Sequence, residues 1–284
     1  MMCVQQADII CEALRLFGNA IKDCRADNDV LPWAPMLPYV YSRYWGSKCR
    51  IFYIGRDTNG WNLGSGGFSD FFCKYDACDF DGYVKQNSSV LTSQKRINAW
   101  ASKTGSFWYA ANLLHIYIQL WKDGNLKDLS TEEKEVLDEM GYANLNSIEL
   151  PITLKKQKRW KDIDKLKYRA IKRASKKHLD EYRLLMKSFL PHIAIITSCG
   201  KPDRYFRGLE YKKVGVESDG NFKVLVYKVS SDSHTSVAIW TCHPAYLRWI
   251  KVSCTDFVRK ISAVISKYKH LSLCSGFKVM EREF

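Results

Sequence analysis

Two short segments place a reactive side chain directly after a run of apolar residues. The first runs from Ile51 to the carboxylate of Asp57, and the second runs from Ile239 to the imidazole of His243. A carboxylate and an imidazole can transfer protons or oppose charge that develops in a transition state. A reaction that uses both groups is therefore the first hypothesis for this chain.

The hydrophobic pattern predicts alternating strands and helices that would position these two groups. Strands are expected at Cys49 to Ile54, Tyr142 to Leu150, His192 to Thr197, Phe222 to Val229 and Val237 to Cys242. Helices are expected at Phe107 to Trp121, Glu132 to Met140, Lys165 to Leu190, and from Pro244 to about Tyr268. This alternation favours an α/β fold with a mainly parallel sheet that helices cover on both faces. Ligands bind outside the carboxyl ends of the strands in such sheets, which is where both reactive residues stand.

The charge balance indicates a polyanionic partner. The 284 residues include 44 Lys and Arg against 30 Asp and Glu, a net charge of +14. Nucleic acid is the first candidate, although a basic surface can also serve only to keep a protein soluble. The ten cysteines lack the paired short spacings of a metal site, so we expect no metal, no cofactor and reduced thiols. No apolar run is long enough to span a membrane, and we expect a cytoplasmic monomer.

The two segments resemble motifs of the uracil-DNA glycosylase superfamily. Gly55-Arg56-Asp57-Thr58-Asn59 is similar to the first motif, G-Q-D-P-Y, and His243-Pro244-Ala245-Tyr246-Leu247 is similar to the second, H-P-A-x-L. Three further segments with a family counterpart lie between them, at Gly66 to Ser69, Asn144 to Ile148 and Ile193 to Gly200. The resemblance covers residues 50 to 260 in sparse motifs, and it implies a three-layer α/β/α sandwich around a four-stranded, mainly parallel sheet.

The resemblance also implies a role for each matching residue. Asp57 would position water or stabilise the sugar cation, and His243 would donate to the pyrimidine O2 of the departing base. The residues expected around the base are Gly55, Asn59, Phe68 and Asn146. The residues expected on the DNA are Leu247, as the wedge that enters the base stack, with Arg248, Lys251, Lys201 and Arg204 on phosphates.

One departure from the family pattern bears on the substrate. Uracil-specific members carry a tyrosine two residues after the aspartate, where its ring excludes groups at C5, and Asn59 stands there in this chain. The missing ring predicts a C5-modified pyrimidine, for example hydroxymethylated or glucosylated cytosine of phage DNA, and in that case an antiviral defence role. Trp61 could replace the ring, which leaves ordinary uracil repair as an alternative.

Each of these residues also has an ordinary structural explanation. Asp57 could cap a turn, His243 could be structural, and Leu247 could be the first apolar residue of a helix. Asn144 competes with Asn146 for the base, and the neighbours Phe71 and Phe72 compete with Phe68. The basic stretch from Lys155 to Lys177 is either a DNA-facing surface or a solvated helix face.

The predicted organisation is an N-terminal helical and proline-containing extension over residues 1–45, followed by one α/β domain over residues 46–284. The predicted function is monofunctional base excision that leaves an abasic site, since no lysine stands out as a Schiff-base nucleophile. A catalytically silent DNA-binding protein and a hydrolase of free nucleosides are the alternatives.

Overall fold

A computed structural model describes residues 39–57, 107–122, 126–146, 181–198, 202, 205–231 and 234–272 of the chain. Within these ranges no helix is long and apolar enough to cross a membrane. The chain divides into two compact units, with residues 1–37, 57–93 and 144–184 in the first and residues 38–56, 94–143 and 185–284 in the second. The second unit contains most of the described residues. The predicted extension over residues 1–45 lies mostly outside them and stays a prediction.

The described residues form seven strands and four α-helices. The strands are β1 (Tyr39–Val40), β2 (Ile51–Asp57), β3 (Met140–Asn146), β4 (Ile193–Thr197), β5 (Glu210–Asp219), β6 (Phe222–Ser231) and β7 (His234–Thr241). The helices are α1 (Phe107–Leu120), α2 (Thr131–Lys134), α3 (Glu181–Ser188) and α4 (Cys254–Tyr268). Short 3-10 helices lie at Tyr44–Gly46, Leu126–Asp128, Glu135–Glu139, Pro244–Tyr246 and Lys269–Leu271.

All seven strands belong to one mixed sheet in the order β1-β3-β2-β4-β7-β6-β5. Strands β2, β4 and β7 are parallel, with Ile51 opposite Ile193 and Ile193 opposite Val237. Strands β7, β6 and β5 are joined in antiparallel pairs, and β1 pairs antiparallel with β3. The α/β class is confirmed. The sheet is larger than the predicted four strands and is mixed, because β5 and β6 extend it in the antiparallel sense beyond β7.

The central strands are buried on both faces, as parallel strands in α/β proteins are. In β2, Phe52 and Tyr53 point to opposite faces and are at most 1% exposed. On the face of Tyr53, a continuous apolar core includes residues from α1 and α4. On the other face, the Phe52 ring packs against Phe189 at 5.4 Å between centroids. These contacts fix the position of β2 in the middle of the sheet.

Several predicted boundaries are corrected by the structure. The strand expected to end before Gly55 continues to Asp57, and the helix expected from Pro244 to Tyr268 is interrupted. A 3-10 turn follows Pro244, and α4 begins only after Ser253, whose hydroxyl accepts a hydrogen bond from the amide of Asp256. That side-chain cap satisfies an otherwise unpaired amide and sets the start of the helix.

Gly141 gives a stability prediction for the centre of this sheet. A Cβ atom at Gly141 would collide with the ring of Phe52, which is fully buried. We expect Gly141→Ala to lower the free energy of unfolding by about 1–3 kcal/mol, the usual cost of overpacking. Gly46→Ala is the matched control, because nothing lies within 4 Å of its added methyl group. Equal unfolding midpoints for the two variants in urea would contradict this account.

Candidate active site

The carboxyl ends of the parallel strands form one edge of the sheet. β2 ends at Asp57, β4 at Thr197 and β7 at Thr241, two residues before His243. The chain order reverses beside β2, because β3 lies on one side of it and β4 on the other. Such a reversal is a topological switch point, where ligands of open α/β sheets bind outside the carboxyl ends of the strands. The edge that follows β2, β4 and β7 is therefore the candidate active site.

Residues at the end of β4 tie this edge together. The hydroxyl of Thr197 donates to the carbonyl of Ile54 in β2 at 3.3 Å. The amide of Ser198 donates to the carbonyl of Thr241 in β7 at 2.8 Å. Thr197 and Ser198 are only 3% and 2% exposed, so these hydrogen bonds are shielded from water. They hold the ends of the neighbouring strands at a fixed spacing.

Two contacts with residues in the described part of the chain orient His243. Its Nδ1 accepts a hydrogen bond from the amide of Ala245 at 3.1 Å, as the N-cap of the 3-10 turn that begins at Pro244. The imidazole also stacks on the ring of Phe107, with 6.3 Å between centroids and 23° between planes. Phe107 is the first residue of α1, so a helix and a turn jointly fix the half-buried ring of His243.

The bond from Ala245 determines which ring nitrogen of His243 carries hydrogen. An amide N–H can donate only to an unprotonated nitrogen, so Nδ1 has no hydrogen in this arrangement. The neutral imidazole then carries its hydrogen on Nε2 and acts there as a donor. A donor whose orientation is fixed in advance suits the stabilisation of a developing negative charge.

Phe107 is a site residue that the sequence analysis missed. The apolar pattern predicts only that it begins a buried helix, and no local pattern connects it to a histidine more than a hundred residues further along the chain. The neighbouring Trp108 and Tyr142 rings lie 4.5 Å apart between centroids, and the Tyr142 hydroxyl donates to Asn112 at 2.6 Å. These buried contacts support the start of α1, on which Phe107 depends.

A second histidine, His115, lies inside the core. Nδ1 of His115 in α1 is 3.1 Å from the hydroxyl of Tyr53 in β2, and both residues are at most 1% exposed. Desolvation by burial lowers the pKa of His115 from 6.5 to about 3. The ring is therefore neutral at physiological pH, and its contact with Tyr53 is structural.

The structure places the predicted site residues in three groups. Asp57 and Asn146 are the last residues of β2 and β3, and only their backbones belong to the described part of the chain. Gly55 is buried within β2. Leu247 is a buried core residue with 4% exposure, which favours a structural role in packing over the role of a wedge that enters the base stack. The remaining predictions on Asn59, Phe68, Asn144, Lys201, Arg204 and Lys155 to Lys177 concern side chains outside the described residues.

Arg248 and Lys251 are exposed on the turns that follow His243. Both side chains are accessible to an anionic partner, and the phosphate contacts expected of them stay a prediction. Comparisons of the chain with protein-family models, with curated proteins and with solved structures found no match.

Proposed function

We propose that this protein is a DNA glycosylase that hydrolyses the N-glycosidic bond of a flipped-out pyrimidine and leaves an abasic site. The observation that carries the proposal is the bond from the Ala245 amide to Nδ1 of His243 at 3.1 Å. It makes Nε2 a donor at the carboxyl end of β7, on the sheet edge where ligands of α/β proteins bind. The proposal includes the finer fold assignment, a three-layer sandwich like that of the uracil-DNA glycosylase superfamily.

The two reactive groups have complementary roles in this reaction. As the glycosidic bond breaks, the sugar gains oxocarbenium character and the departing base gains negative charge. The carboxylate of Asp57 opposes the positive charge or positions the attacking water. Nε2 of His243 donates to O2 of the pyrimidine and opposes the negative charge. Neither role requires the side chain to gain or lose a proton before the bond breaks.

The substrate we propose is a pyrimidine with a substituent at C5. The support comes from Asn59, which stands where a tyrosine ring would exclude such substituents in uracil-specific relatives. A glucosylated hydroxymethylcytosine of phage DNA fits this description, and its removal would damage a phage genome rather than repair the host's. Asn146, at the end of β3, carries an amide that can pair with a pyrimidine edge through one donor and one acceptor.

The proposal is tested by measuring the bases that the protein releases. Oligonucleotides that carry uracil, thymine or glucosylated hydroxymethylcytosine are incubated with the full chain, and free bases are quantified by mass spectrometry. We expect release of the C5-substituted base, and none with Asp57→Asn, which keeps the size of the side chain but removes its charge. Release of uracil alone would contradict the C5 assignment. Binding without release of any base would contradict the enzyme and favour the silent DNA-binding alternative.

A further inference from the structure

Two aromatic side chains are exposed on the turns that follow His243. Trp249 is 81% exposed and Tyr246 is 47% exposed, and their ring centroids lie 6.5 Å apart. A tryptophan normally buries 150–250 Å² of surface, so such exposure leaves a large apolar area in water. Two neighbouring rings in this state form a surface, which we call the Tyr246–Trp249 platform.

The backbone beneath the platform is held by hydrogen bonds within the segment. The amides of Trp249 and Ile250 donate to the carbonyl of Tyr246 at 2.9 and 3.3 Å, and the amide of Val252 donates to the carbonyl of Leu247 at 3.0 Å. Leu247 is buried and anchors the segment in the core, where the half-buried Ile250 also packs. The rings are therefore presented outward from a fixed support, so little conformational entropy is lost when a partner binds them.

The charge around the platform indicates the kind of partner. Arg248 and Lys251 flank Trp249, both are exposed, and no carboxylate in the described part of the chain forms an ion pair with either. The protein as a whole carries a net charge of +14. Aromatic rings interleaved with unpaired basic side chains suit single-stranded nucleic acid, in which bases stack on the rings and phosphates meet the cations. A protein partner with an apolar surface would instead leave both cations without a counterion.

We propose that the Tyr246–Trp249 platform binds unpaired bases of a single-stranded nucleic acid. One base stacks on Trp249, Tyr246 lies against a neighbouring base, and Arg248 and Lys251 contact the flanking phosphates. This activity is binding alone, and it does not depend on the excision proposed above. It also assigns the base contact to Trp249 rather than to Leu247, whose side chain is packed in the core.

The experiment measures the affinity of the full chain for labelled 12-nucleotide strands by fluorescence anisotropy. Oligothymidine and oligouridine distinguish a DNA from an RNA source, and a duplex of the same length serves as the paired reference. We expect Trp249→Ala to weaken single-strand binding by about 10- to 100-fold, given the usual contribution of one stacked base. Trp249→Phe should retain most of the affinity. Arg248→Ala and Lys251→Ala should each make the slope of log K against log salt concentration shallower, by about the amount that one phosphate contact contributes.

A control variant makes the outcome decisive. Tyr211→Ala removes another exposed aromatic side chain, 38% exposed on β5, and should leave the affinity unchanged. The assay measures binding alone and requires no base release, so failure of excision does not affect this test. Equal affinity of Trp249→Ala and wild type, tighter binding of the duplex than of the single strand, or no binding at all would each overturn the platform.

Discussion

His243→Asn is expected to slow base release by about 100- to 1,000-fold, the usual effect of losing one preorganised donor at a developing negative charge. Asparagine is a preferred N-cap residue, and its side-chain oxygen can accept from the Ala245 amide as Nδ1 does now. The substitution therefore keeps the turn while it removes the donor at Nε2. The measurement is single-turnover release of the C5-substituted base that we propose as the substrate.

A second substitution at the same position separates chemistry from folding. The amide nitrogen of a glutamine reaches about as far as Nε2, so His243→Gln should recover part of the rate that His243→Asn loses. His270→Asn is the matched control, because it replaces an exposed histidine in the 3-10 helix Lys269–Leu271. If His243→Asn and His270→Asn release the base equally fast, His243 is not the donor.

Acidification is expected to destabilise the fold through His115. Its pKa in the folded state is lowered from 6.5 to about 3, so the unfolded chain binds a proton that the folded chain excludes. The contribution of neutral His115 to the free energy of unfolding is fully present above pH 6.5 and is lost as the pH falls towards about 3. At 1.36 kcal/mol per pKa unit, the full loss amounts to about 4–5 kcal/mol.

The comparison of wild type with His115→Gln isolates this effect. The variant should be less stable at neutral pH by about 1–2 kcal/mol, because the buried contact with Tyr53 is disturbed. Between pH 7.5 and pH 4.5 the wild type should lose about 2–3 kcal/mol that the variant does not lose, so the deficit of the variant in urea unfolding should disappear and change sign. The pKa of His234 is also lowered by desolvation, but His234 is present in both proteins and cancels in the comparison. A stability difference that stays constant with pH would exclude His115 as the titrating group.

The sequence predicted the central elements because their signal is local and apolar. The strand expected at His192 to Thr197 is β4, and the helix expected at Phe107 to Trp121 is α1, each within one residue of its bounds. Every side chain of β4 is buried, and the sequence shows this burial as a continuous apolar run that predicts a strand. The positions of Asp57 near the end of β2 and of His243 beyond the end of β7 could be predicted for the same reason.

Strand β5 was missed because it has no apolar pattern. Seven of its ten residues are exposed, and it is held by its pairing with β6 and by polar contacts to α4. Lys267 and the hydroxyl of Tyr268 both bond to Glu217 in β5, at 2.8 and 2.7 Å. An edge strand of this kind is stabilised by distant partners, so periodicity within its own residues does not indicate it.

Residue types and their order along the chain predicted the α/β class, because buried strands leave continuous apolar runs. The proposed roles of Asp57 and His243 came from the motifs that follow two of these runs. The tertiary structure alone decided the sheet order and the hydrogen bond that makes Nε2 of His243 a donor. It also decided that Trp249 is exposed to solvent whereas Leu247 is buried. Leucine and tryptophan are both apolar, and only the path of the backbone determines which of them meets the core. That path depends on contacts between residues far apart in sequence, and no window of neighbouring residues contains them.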